Sequence, residues 1–375
     1  MLTTLTAPAF AGTWYIEDGD ITISAGESGN NVTQNKETTV NDHDTIITNR
    51  EEGASSHTVT IDAKDEDDKV EVTLKDVNID ASSRSEAAVS VTGKGDTTIE
   101  LDGDNELKSG AGHAGLEHNK TDTSGELTIQ DKDKNGSLEA AGGFKGAGIG
   151  SAGSNDAQVK ITGGNITATT SDDWGAGIGS GSYGTGTVEI TGGEINATGG
   201  YLGAGIGGGT SGNGKVTITG DAVIEESIGG SSGAGAGNAT GGAGIGGGAN
   251  GHGTIDISGN AQVKNALGKD GGAGIGSGYE GDGNVNISGN ATIENAEGGK
   301  FAAGIGGGYR GDGNVTISGN AKIDNVSGGK QAAGIGGGSF GDGTIIIKDN
   351  AMIGTAAGGN YGAGIGGGAL GVGDV

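Results

Sequence analysis

Residues 302–331 read AAGIGGGYRGDGNVTISGNAKIDNVSGGKQ. Three apolar pieces sit in this stretch: Ala303-Gly304-Ile305, Asn314-Val315-Thr316-Ile317-Ser318 and Ala321-Lys322-Ile323-Asp324. Each alternates with period 2, the signature of a strand whose successive side chains point to opposite faces. Clusters of Gly, Asn and Asp separate them, and these are turn signals. No segment carries a helical period, and 89 glycines oppose helix throughout the chain.

The same stretch recurs. The string Ala-Gly-Ile-Gly places its isoleucine at Ile149, Ile178, Ile206, Ile245, Ile275, Ile305, Ile335 and Ile365, with intervals of 29, 28, 39, 30, 30, 30 and 30 residues. Two worn copies precede them, Ala-Ala-Val89-Ser-Val and Ala-Gly-Leu116-Glu-His, and a Gly/Ser/Ala insertion near residues 228–240 accounts for the long interval as a surface loop. Self-similarity at such a period marks a solenoid. The prediction is an all-β, right-handed parallel β-helix with about 30 residues and three short strands per coil. Ile257, Ile287, Ile317 and Ile347 then form one inward column, and Val263, Ile293, Ile323 and Ile353 another. Asn260, Asn290, Asn320 and Asn350 fall at one turn, where stacked amides hydrogen-bond along a column. Disorder competes with this reading, because Gly-rich acidic chains often stay unfolded. It gives no reason for β-branched residues at a fixed interval. Two half-sized coils per unit is the other alternative.

Composition agrees with a narrow core. Of 375 residues, 31% are hydrophobic and 3% aromatic, too few for a wide globular interior. A net charge of −27 argues against nucleic acid and anionic membranes as partners and favours cations. The absence of Cys removes disulfides, thiol nucleophiles and thiolate metal sites. No apolar stretch reaches the roughly 20 residues of a membrane span. Ala9-Phe10-Ala11 has the A-x-A form that precedes a signal-peptidase cut, so residues 1–11 read as a signal-peptide remnant, and a secreted or cell-surface location in a bacterium is expected. Residues 12–85 read as an N-terminal cap with irregular first coils, because strand-like pieces at 45–48, 58–61 and 70–74 lack the later regularity. Residues 86–375 read as regular β-helix repeats, cut off partway through a unit, so further coils or a partner are expected beyond Val375.

Candidate sites follow from what the stacking would align. If Ala and Ile of the Gly strand point inward, its outer face is a strip without side chains, open to a ligand's close approach; alternatively, Gly eases tight corners. The aromatics Phe144, Trp174, Tyr201, Phe301 and Tyr361 lie four or five residues before a repeat isoleucine, and Tyr183, Tyr279, Tyr309 and Phe340 lie four or five after one. They are expected to edge the strip in two rows and to stack on the sugar rings of a polysaccharide, or else to pack on one another. Asp282, Asp312 and Asp342 share one Gly-Asp-Gly turn, where like charges about 5 Å apart repel by roughly 1 kcal/mol in water. A cation such as Ca²⁺ would relieve that; a solvated turn is the plainer alternative. Asp131, Asp133 and Asn135 open a stretch like the first half of a calcium loop, without its terminal Glu, and also read as a hairpin-like turn. No paired histidines at metal spacing and no Gly-x-Ser-x-Gly elbow occur, so the chain is not expected to be an enzyme.

A resemblance sharpens this. Val72-Thr-Leu-Lys-Asp-Val-Asn-Ile-Asp-Ala81, Ala87-Ala88-Val89, Thr98-Ile-Glu-Leu-Asp-Gly-Asp-Asn-Glu-Leu107, Gly125-Glu-Leu-Thr-Ile129 and Gly146-Ala-Gly-Ile-Gly150 together resemble secreted bacterial carbohydrate-binding β-helix proteins of the pectate-lyase-like superfamily. The likeness is best over residues 70–180, and the later units look like Gly-rich repeats of gut-bacterial surface proteins. It implies binding of acidic plant polysaccharide with the help of calcium, without lyase activity. The expected function is therefore non-catalytic binding of an extracellular polysaccharide. A structural stalk or adhesin spacer is the first alternative, and a polysaccharide lyase the second.

Overall fold

The period-2 pieces become strands that stack on their own repeats. The structure, a computed structural model, describes residues 11–171, 174–232 and 240–375. Ala9 and Phe10 of the expected cleavage motif, and residues 233–239 of the insertion, lie outside them. The described chain is a parallel β-solenoid of about 12 turns with three strands per turn. One coil shows the plan: Ile305–Gly306 on the first face, Gly313–Ile317 on the second and Lys322–Ser327 on the third.

Register is that of a closed circuit. Ile305 pairs with Ile275 and Ile335, Ile317 with Ile287 and Ile347, and Ile323 with Ile293 and Ile353, all in parallel. One unit therefore makes one turn, which rules out half-sized coils. Ile275, Ile305, Ile335, Ile287, Ile317, Ile293 and Ile323 are fully buried. Each such burial contributes about 1.5–3 kcal/mol before chain entropy is deducted. Repetition is how a chain poor in apolar residues builds a continuous core.

The asparagine column is present. Asn290, Asn320 and Asn350 each donate from Nδ2 to the Oδ1 of the asparagine one coil earlier, at 3.1–3.2 Å, and Asn260 donates to Asp221. Outward residues thus pair along the axis while inward ones fill it.

The first residues differ. Ile21–Gly26, Gly29–Gln34 and Glu37–Asp42 form antiparallel hairpins, and Ile21–Gly26 then pairs in parallel with Val59–Ala63 to begin the ladder. Buried Asp42 ties this end together by accepting from the Gly12 amide and the Trp14 indole, both at 2.8 Å. Arg84 clamps Asp20 at 2.8 Å and, by that hydrogen bond, holds its carboxyl down to about 2. No helix among the described residues is long and apolar enough to cross a membrane.

Candidate functional site

Each repeat isoleucine sits at the bottom of a tight bend. The Ala303 amide donates to the Gly307 carbonyl at 3.0 Å, and the same closure recurs from Ala176 to Ser180, Ala204 to Gly208, Ala243 to Gly247, Ala273 to Ser277 and Ala333 to Gly337. Ala303 through Gly308 are all buried. The open strip expected from the sequence is therefore absent. The glycines serve close packing of coil on coil. At Gly306, with φ +129°, an added Cβ would lie 2.2 Å from the Gly336 carbonyl oxygen.

The bend also moves the aromatics. Gly308-Tyr309-Arg310-Gly311 is a type II turn, closed from the Gly311 amide to the Gly308 carbonyl at 2.9 Å with Arg310 at φ +64°. The amide at the Tyr309 position of each coil reaches the segment before the isoleucine of the previous coil: Tyr309 to Gly271, Ser339 to Phe301, Thr210 to Trp174 and Ser182 to Lys145, at 2.8–3.0 Å. The two aromatic rows expected on opposite edges are thereby brought onto one.

Rings gather on that edge in two clusters. In the first, Trp174 lies 6.3 Å from Phe144 and 6.4 Å from both Tyr183 and Tyr201. In the second, Tyr309 lies 5.4 Å from Tyr279, 5.5 Å from Phe301 and 6.0 Å from Phe340. Tyr361 stands further along, 82% exposed. Phe144, Tyr183, Tyr201 and Phe340 are exposed, whereas Trp174, Tyr279, Phe301 and Tyr309 are half-buried. Cations rest on the rings: Lys145 over Phe144 and Trp174, Lys300 over Phe301, and Arg310 over Tyr309 at 5.1 Å. Hydrogen bonding to Tyr309, and then to Glu280, pushes the Arg310 guanidinium up, and partial burial pushes the Tyr279 phenol up.

The acidic residues are held by backbone. Asp312 donates its amide to Asp282 Oδ1, Asp342 to Asp312 Oδ1 and Val372 to Asp342 Oδ1, at 2.6–2.9 Å. Each carboxylate in this column therefore receives an amide from the coil above, which answers the repulsion the sequence posed. Asp131 accepts from the amides of Asn135 and Gly136, Asn135 donates to Asp102, and Asp133 is exposed. This is a self-closed turn before Ser137–Gly142. Among the described residues, no group of three or more His, Cys, Asp or Glu is placed to hold a metal.

Sequence reasoning missed one polar cluster. Glu117, which stacks on Gly150, is buried and accepts from His113 Nδ1 at 2.8 Å, Asn119 Nδ2 at 2.9 Å and the Ala114 amide at 3.1 Å. Neighbouring His118 is buried too, and burial pushes its imidazole down. The signal was the departure of Leu116-Glu-His from the Ile-Gly pattern.

Comparison with known proteins finds a likeness over part of the chain. A β-helix repeat family matches residues 159–182, 188–210 and 285–309. No curated protein matches the chain. Among solved structures, the polysaccharide lyase-like protein from C. thermocellum, in a gadolinium derivative, is similar at 16% identity over 91% of this chain and 99% of that one. The TM-score is 0.29, a loose superposition.

Proposed function

We propose that the chain is a non-catalytic polysaccharide-binding protein, secreted or displayed on a cell surface, and that it holds sugar rings against the aromatic edge. One observation carries this: two clusters of partly exposed rings share a single edge of a chain that is only 3% aromatic. An exposed ring face offers apolar area with little rotamer entropy to lose, and the C–H face of a pyranose fits it. A rigid solenoid keeps the rings at fixed separations, so little ordering is needed on binding.

The test replaces Trp174, Tyr201, Tyr279 and Tyr309 together by Ala and probes a glycan array with and without Ca²⁺. Retention of at least one glycan bound by the wild type is expected to weaken tenfold or more, while circular dichroism stays that of a β-solenoid. Unchanged binding of every glycan by the folded variant would rule the edge out. Release of unsaturated sugars from pectin-like substrates would indicate a lyase instead. The ring-on-ring contacts favour a second reading, in which the aromatics only brace a structural stalk. That reading requires no glycan on any array.

A further inference from the structure

A groove of uncharged polar side chains lies on the second face, away from the aromatic edge. A shallow groove of about 530 Å³ runs along the outward side of the strands Gly214–Ile218, Gly253–Ile257, Gly283–Ile287, Gly313–Ile317 and Gly343–Ile347. Alternation turns Val216, Ile255, Val285 and Val315 inward beneath it, each at most 3% exposed. Outward, Thr254, Asn284, Asn314 and Thr344 form one row in register, and Asn286 and Thr316 stand in the next.

These are uncharged groups that both donate and accept. Asn314 donates to Asn284 Oδ1 at 3.0 Å, and Asn286 to Asp256 Oδ2 at 3.3 Å, so each amide is oriented along the axis. Each of these two bonds engages one of an asparagine's two N–H donors, and the threonine hydroxyls add a donor and acceptor at each coil. The pattern repeats at about 4.8 Å, the strand spacing. Charge changes along this face. Earlier coils carry Glu71, Lys160 and Glu189 on the corresponding rows, and Lys160 forms ion pairs with Glu189 and with Glu126, the residue just before the strand Leu127–Gln130. The groove holds only Lys215 and Asp256, whose charges cancel. The aspartate column at 282, 312 and 342 enters the adjoining strands directly, so a polyanion approaching the groove is repelled.

We infer that this groove binds an uncharged glycan with an extended backbone, with the Asn and Thr rows bonding to its hydroxyl groups coil by coil. The inference rests on the glycan-binding reading and extends it to a separate face. Affinity electrophoresis in xyloglucan, galactomannan and hydroxyethyl cellulose, with polygalacturonate as the charged comparison, tests it. The variant is Asn284→Ala, Asn314→Ala and Thr316→Ala combined, all outward positions, with folding checked by thermal melting. Its retardation in at least one neutral glycan is expected to fall tenfold or more, while the four-fold aromatic variant keeps that retardation. Wild-type protein that no neutral glycan retards would overturn the groove, and so would a groove variant retarded like the wild type. Loss confined to the aromatic variant would overturn the groove and leave the edge standing, whereas loss confined to the groove variant is the result expected of the groove.

Discussion

Replacing Gly306 by Val is expected to split or markedly lower the melting of the coils around it. Gly306 sits at φ +129°, where a β-branched residue is strained by about 1–3 kcal/mol. Its Cβ would also lie 2.2 Å from the Gly336 carbonyl oxygen, closer than any real contact, and that oxygen belongs to backbone. Overpacking of this kind costs typically another 1–3 kcal/mol. The sum is on the order of 3 kcal/mol or more, concentrated at one coil-to-coil step. In a solenoid each coil is stabilised chiefly by its neighbours, so a broken step separates the array into two parts. Circular dichroism should show either two transitions or a midpoint lower by several degrees. Gly53→Ala is the comparison. Its φ is +146°, yet nothing lies within 4 Å of its added Cβ. It should cost only the backbone strain. A Gly306→Val protein that melts like the wild type would mean the coils are not in contact at that glycine.

Replacing Ile305 by Asp is expected to prevent folding outright. Ile305 is fully buried and stacks between Ile275 and Ile335. Removing the side chain alone costs about 2–5 kcal/mol. A carboxylate left there without a partner adds several more or must take up a proton. Most small domains have about 5–15 kcal/mol in total. Ile346→Asp provides the contrast, because alternation turns Ile346 outward and 52% of it is exposed. That change should stay within about 0.5 kcal/mol. Chemical denaturation of the two variants compares them directly. Equal loss, or no loss in either, would contradict the assigned inward face.

The fold was legible because repetition printed it many times. One strand such as Gly313–Ile317 is ambiguous alone, but Ile287, Ile317 and Ile347 at equal intervals require positions that stack. The asparagine column was readable for the same reason, since amides at one turn in successive coils have one another as partners. The edge was only half legible. Spacing placed the aromatics four or five residues from an isoleucine, and nothing in it showed that the chain bends back over Gly306. That bend depends on bonds between coils, such as Ser339 to Phe301, which leave no local pattern. The one-residue offset between Tyr309 and Phe340 turned out to matter. Tyr309 holds the first central position of its turn, whereas Phe340 holds the second, at φ +68°. The column of Asp282, Asp312 and Asp342 was visible, but not that each carboxylate caps the amide above it. The hairpins at Ile21–Asp42 carry no repeat, so their antiparallel pairing was not foreseeable beyond the expectation of a cap.

Both the aromatic edge and the groove exist only if one unit closes one circuit, and a cross-link measures that directly. The chain has no cysteine of its own. Asn320 Nδ2 donates a hydrogen bond to Asn290 Oδ1 at 3.1 Å, and coils repeat at about 4.8 Å, within the roughly 4.4–6.8 Å Cα separation a disulfide spans. Asn290→Cys with Asn320→Cys should therefore close an intramolecular disulfide on mild oxidation, while Asn290→Cys with Asn350→Cys, two coils apart, should not. Failure of the first pair, or equal cross-linking of both, would contradict the stacked circuit.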